Sequence, residues 1–76
     1  MLAGLAVTTP PTKRQLEIRE FMLRYQLEHG MPPTLREICD EHDIASTNGA
    51  SDHLKSMERK GLVTRRRGLS RGWRAV

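Results

Sequence analysis

The chain has 76 residues, with 13 Lys and Arg against 9 Asp and Glu, for a formal net charge of +4. A chain of that size buries only about 60% of the surface its unfolded form exposes, which allows one small domain and excludes a second. Its single cysteine, Cys39, rules out an internal disulfide, and no cysteine cluster points to structural zinc, so a reducing cytosol is the expected setting.

Residues 1–11, "MLAGLAVTTPP", show no helical period and end in two prolines, which predicts an N-terminal arm followed by a domain over 12–76. The arm is too short to span a bilayer and lacks the basic start of a signal peptide, so no membrane association is expected. Thr12 followed by Gln15 has capping-box spacing and opens a first helix, which can run to His29 before Gly30, Pro32 and Pro33 stop it. Thr34 with Glu37 repeats the device and opens a second helix over about Leu35 to His42, with Leu35, Ile38, Cys39 and His42 on one face. "DIAST" supplies a turn. Ser46 or Thr47 then caps a third helix extending to about Lys60 and stopping at Gly61. Finally "LVTRR" and "GWRAV" flank "RGLS", a hairpin pattern. Three helices plus a two-stranded antiparallel hairpin, mainly α, make a winged helix-turn-helix.

The charge is unevenly spread. Residues 55–76 carry Lys55, Arg59, Lys60, Arg65, Arg66, Arg67, Arg71 and Arg74 against Glu58 alone, whereas 34–54 carry five acids against Arg36. One end of the molecule is therefore suited to an anionic partner, most often nucleic acid. On the third helix Ala50, Leu54 and Met57 share a core side, with His53 beside them. Asn48, Asp52, Lys55 and Arg59 share the opposite side, flanked by Ser56 and Gly49. Amide, carboxylate, ammonium and guanidinium groups are the types that read base edges in a major groove. The small residues Ser46, Gly49 and Ala50 let the helix start come close to a base or phosphate. Arg65, Arg66, Arg67 and Arg71 crowd the hairpin turn, where they repel one another unless an anion is near and can follow a phosphate backbone or enter a minor groove. Trp73 is expected as a core lid. With only Phe21 and Tyr25 besides it, a stacking surface for single strands is poorly supplied, which favours duplex over single-stranded nucleic acid.

The segments "TKRQLEI", "HGMPPTLREI", "DHLKSMERKGLVTR" and "SRGWR", in that order and spacing over residues 12–76, resemble the N-terminal DNA-binding domain of the LexA repressor family. The resemblance implies a cytoplasmic, nucleoid-associated regulator of bacterial or phage type. It also implies that the third helix enters the major groove of an operator, with Ser46, Asn48, Gly49, Ser51 and Asp52 facing bases. Gly49, Ser51 and Asp52 depart from the best-known members, so an altered operator preference is expected. Family repressors also carry a C-terminal domain that dimerises and cuts its own linker; the sequence stops at Val76, and neither property is carried over.

Leu16, Leu23 and Leu27 gather on the side of the first helix opposite its core stripe of Ile18, Phe21, Met22 and Tyr25. Full burial would stabilise each by roughly 1.5–3 kcal/mol. Three partners compete for that face: the arm's Leu2, Leu5 and Val7, a second copy of the chain, or another protein. A protein-binding winged helix using this face or the basic wing is accordingly the alternative to a DNA-binding regulator. Cys39, His42 and His53 offer no fourth ligand and are expected to be structural rather than metal-binding. No nucleophile–base pair, phosphate-binding glycine loop or paired-acid site is visible, so neither enzymatic activity nor a cofactor is expected.

Overall fold

The computed structural model describes residues 10–76. Leu2, Leu5 and Val7 of the arm, one of the three candidates to cover the leucine face, lie outside these residues. Element order is α1 (Lys13–His29), α2 (Leu35–His42), α3 (Thr47–Arg59), β1 (Val63–Arg65) and β2 (Trp73–Ala75). Both capping boxes form. The Thr12 hydroxyl accepts from the Gln15 amide at 3.1 Å, and the Gln15 side chain accepts from the Thr12 amide at 3.1 Å. Thr34 and Glu37 make the equivalent bonds at 3.1 and 2.8 Å. These satisfy donors that every helix start otherwise leaves open. α1 ends on Gly30 in the left-handed conformation, and α3 starts on a Ser46 cap.

The core draws on every element: Ile18 and Met22 from α1, Ile38 and Cys39 from α2, Ala50, Leu54 and Met57 from α3, and Val63, Trp73 and Ala75 from the hairpin. Phe21 and Tyr25, expected in the same stripe, are only half-buried, Phe21 with its ring against His42 and Tyr25 bonded to Glu37, both on α2. Gln15 takes a buried place instead. Its amide nitrogen donates to the Ser56 hydroxyl at 3.0 Å and its oxygen accepts from Lys60 Nζ at 2.7 Å, tying the start of α1 to the end of α3.

β1 and β2 pair antiparallel, Val63 opposite Ala75, Thr64 opposite Arg74 and Arg65 opposite Trp73. The outer edge of β2 is met by α1: the Ala75 amide donates to Gln26 Oε1 at 2.7 Å, and Gln26 Nε2 donates to the Ala75 carbonyl at 3.2 Å. The base of the hairpin is thereby fixed from both sides, by core side chains and by a helix side chain.

His42, at the end of α2, sets its ring edge-on to Phe21 at 5.5 Å, with Nε2 buried and without a hydrogen-bond partner among the described residues. Burial pushes its pKa below the ordinary value of 6.5. A histidine depressed in the folded state stabilises fully above its unfolded pKa and less as pH falls below it. The melting temperature is therefore expected to decline from about pH 7 to about pH 5, and to decline less in His42→Leu. Parallel melting curves for the two proteins would show that the ring does not titrate with folding.

Candidate nucleic-acid interface

The turn between α2 and α3 is short because its backbone bonds close locally. The Ile44 amide donates to the Cys39 carbonyl at 3.0 Å, Asp43 takes the left-handed conformation, and Cys39 Sγ donates to the Ser46 carbonyl at 3.3 Å. Cys39 is thus a buried strut of the turn. Ile44 then lies against the first turn of α3. A Cβ built on Gly49 would stand 3.0 Å from Ile44 Cγ2, which is tighter than an ordinary side-chain contact.

That contact gives Gly49 a packing role besides its place flanking the polar strip. The position a Cβ would take faces the turn, and its absence allows α3 to start close to α2. Ala50, also expected to ease approach to DNA, is fully buried. The Ser46 hydroxyl accepts from the Gly49 amide at 3.3 Å and so caps the helix, while Ser51 is half-buried. Asn48, Asp52, Lys55 and Arg59 are all exposed along one side of α3, opposite Ala50, Leu54 and Met57. Ser56, expected to flank them, is turned toward Gln15.

The four arginines of the hairpin separate into two kinds. Arg65 lies over the Trp73 ring, 4.8 Å from its centroid, a placement in which ring and guanidinium attract. Arg65, Arg66 and Arg67 are exposed, and among the described residues none has a carboxylate within ion-pair distance. Arg71, expected to meet phosphate, is paired within the domain. Its Nη1 donates to Glu37 Oε1 at 2.8 Å, to the Pro32 carbonyl at 3.0 Å and to Tyr25 Oη at 3.2 Å, while Nη2 reaches Glu37 Oε2 at 3.3 Å. Its Nη1 group is thus engaged within the domain. The Arg71 guanidinium, with the Thr34 amide and the Tyr25 hydroxyl, holds the Glu37 carboxyl down at about 2, and the same pair raises the Arg71 pKa.

Arg74 lies beside the wing arginines, a placement that residue order alone does not single out. Alternation along β2 puts it on the face opposite Trp73 and Ala75, level with Thr64. It lines an open cleft of about 630 Å³ together with Arg65, Arg66, Arg71, Met31 and Leu69. The short pattern "GWRAV" carried that alternation, but one exposed residue in a three-residue strand is a weak signal.

On α1 the expected leucine face is broken. Leu23 packs against the core cluster, leaving Leu16 at 48% exposure and Leu27 at 87%. Among the described residues no group of three or more His, Cys, Asp and Glu side chains converges as a metal site, and no helix is long and apolar enough to cross a membrane.

Residues 8–72 match the family model described as the LexA DNA binding domain. Similar proteins include the LexA repressor of Anaeromyxobacter sp. (strain Fw109-5), 56% identical over 54 residues that make up 71% of this chain and 23% of that protein. The LexA repressor of Halorhodospira halophila is 48% identical over 63 residues, 83% of this chain and 28% of the other. That of Desulfatibacillum aliphaticivorans is 43% identical over 61 residues, 80% and 30% of the two chains. The aligned part of this chain spans less than a third of each relative.

Proposed function

Because this chain belongs to the LexA DNA-binding domain family, we propose that it binds duplex DNA in a sequence-specific manner and represses transcription by occupying an operator. In this reading α3 lies in the major groove. Asn48, Asp52, Lys55 and Arg59 face base edges and adjoining phosphates, Ser46 and Ser51 flank the approach, and Arg65, Arg66 and Arg67 follow the neighbouring backbone. Such a protein acts on the chromosome in the bacterial cytoplasm. Asp52, an acceptor only, suits a cytosine amino group and disfavours a base edge that presents acceptors. The observation that carries the proposal is the joining of two features on one molecule: a third helix whose exposed side is wholly polar, and three adjacent arginines with no carboxylate to neutralise them.

The leucine face of α1 does not support a competing reading. With Leu23 half-buried against the core, the two largely exposed leucines, Leu16 and Leu27, stand 11 positions apart, about 16 Å along the axis.

Selection of bound sequences from a random duplex pool, followed by a salt titration on the winner, tests the proposal. Replacing Arg65, Arg66 and Arg67 by Gln is expected to make the log–log salt slope shallower by roughly 2.7, since each phosphate contact contributes about 0.9. A slope that stays the same after three arginines are removed would leave the wing without its assigned role.

A further inference from the structure

We propose that Glu37, although acidic, strengthens the binding of this domain to DNA, because through Arg71 it holds the arginine-bearing tip of the hairpin in a fixed position relative to α3. The inference rests on the duplex-binding reading above. It begins from an asymmetry within the hairpin. The strands are anchored by Val63, Trp73 and Ala75 in the core and by Gln26 at the edge. The tip beyond them is not: residues 66–70 are all exposed. Arg71 is the tip residue that turns back onto the body, and its guanidinium collects acceptors from three separate pieces of chain, Tyr25 on α1, Pro32 in the connection and Glu37 on α2. Tyr25 Oη in turn donates to Glu37 Oε2 at 3.0 Å, which closes the cluster.

α2 is also the helix whose far end leads through the short turn into α3. Tying the tip to α2 therefore fixes Arg66 and Arg67 with respect to the helix assigned to the major groove. A tip that is already ordered loses less conformational entropy when it meets a phosphate backbone than one that must be ordered on contact. The planar fork of arginine suits this task, since it can serve a carboxylate and further acceptors in one geometry, whereas a lysine offers a point charge.

Simple electrostatics and this clasp predict opposite signs for one substitution. Glu37→Gln removes a negative charge from a DNA-binding protein, so charge alone predicts tighter binding. The clasp predicts weaker binding. Glutamine at this position leaves the helix cap available, because Gln15 performs the same capping role in α1 of this very fold. Arg71→Lys is the companion variant: it keeps the charge, so a direct phosphate contact would largely survive, but it loses the fork.

Both variants would be compared with the wild-type protein on a short mixed-sequence duplex over about 50 to 200 mM salt, with circular dichroism melting to verify folding and amide exchange read at Arg66, whose N–H donates to the Gly72 carbonyl at 2.8 Å. The expected result is binding weakened by roughly fivefold or more, a salt slope shallower by about 1 to 2.7, and faster exchange at Arg66. In a background where Arg65, Arg66 and Arg67 are already Gln, Glu37→Gln should have no further effect. Unchanged or tighter binding by Glu37→Gln, or a loss that persists in that background, would overturn the inference. A wild-type protein with a steep salt slope and an indifferent Glu37→Gln overturns this inference alone, whereas a wild-type protein that binds no duplex overturns the DNA-binding reading with it.

Discussion

Replacing Gly72 with alanine is expected to open the hairpin and remove the contribution of its tip to duplex binding. A Cβ at this position would stand 2.2 Å from the Arg66 carbonyl oxygen and 3.1 Å from that of Leu69. Both are backbone atoms, so no side-chain rotation relieves the clash. The two chains must move apart, and the bond from the Arg66 amide to the Gly72 carbonyl is strained or lost with them. Overpacking of this kind costs about 1–3 kcal/mol where the surroundings can yield, and the neighbouring Trp73 and Arg71 would carry the disturbance into the core lid and the clasp on Glu37. Amide exchange at Arg66 should accelerate, and the salt slope should become at least as shallow as in the protein lacking Arg65, Arg66 and Arg67. Retained protection at Arg66 with unchanged affinity would show that the close approach of the two chains is dispensable.

The largest loss of stability is expected from Leu54→Ala. Leu54 is at 0% exposure on the inner side of α3, within a core that, among the described residues, has ten members contributed by all five elements. Removing its isobutyl group forfeits transfer free energy and leaves a cavity, together about 2–5 kcal/mol. For a domain of this size, whose whole stability is of order 3–10 kcal/mol, that is a large fraction, and the melting temperature should fall by roughly 10–30 °C. DNA binding should weaken in step with the folded fraction although every outward residue of α3 is intact. Leu27→Ala provides the contrast: at 87% exposure, its effect should stay within about 0.5 kcal/mol. Urea and thermal unfolding of the two variants measure the difference directly, and equal destabilisation would contradict the assignment of the core.

The elements were legible from sequence because their boundaries are set locally. Thr12 with Gln15, Thr34 with Glu37, and Gly30 before two prolines each act within a few positions, and neighbouring residues suffice to read them. The sides of α3 follow from helical geometry in the same way. What the sequence did not disclose depends on contacts across the fold. Arg71 looked like its neighbours Arg65, Arg66 and Arg67, and only the return of the tip to Glu37, 34 positions away, separates it from them. Leu23 looked equivalent to Leu16 and Leu27, yet it reaches the core while they do not. Gly49 lay near the polar strip by angle, but Ile44 claims the space beside it. Gln15 has the spacing of a cap, whereas its second task, joining Ser56 and Lys60, spans more than 40 residues. The choice among chemically similar side chains was thus made by tertiary packing, where periodicity carries no information.

The amide of Gln26 has a consequence for how these molecules behave when crowded together. A two-stranded ribbon exposes the margin of its second strand, and an extended peptide from a neighbouring molecule can extend the ribbon by bonding there. At Ala75 both main-chain groups on that margin are already bonded by a side chain borrowed from α1. The ribbon is thereby finished as a unit of two, closed to recruitment at this point, and its cationic tip is left to meet a partner by charge rather than by strand addition.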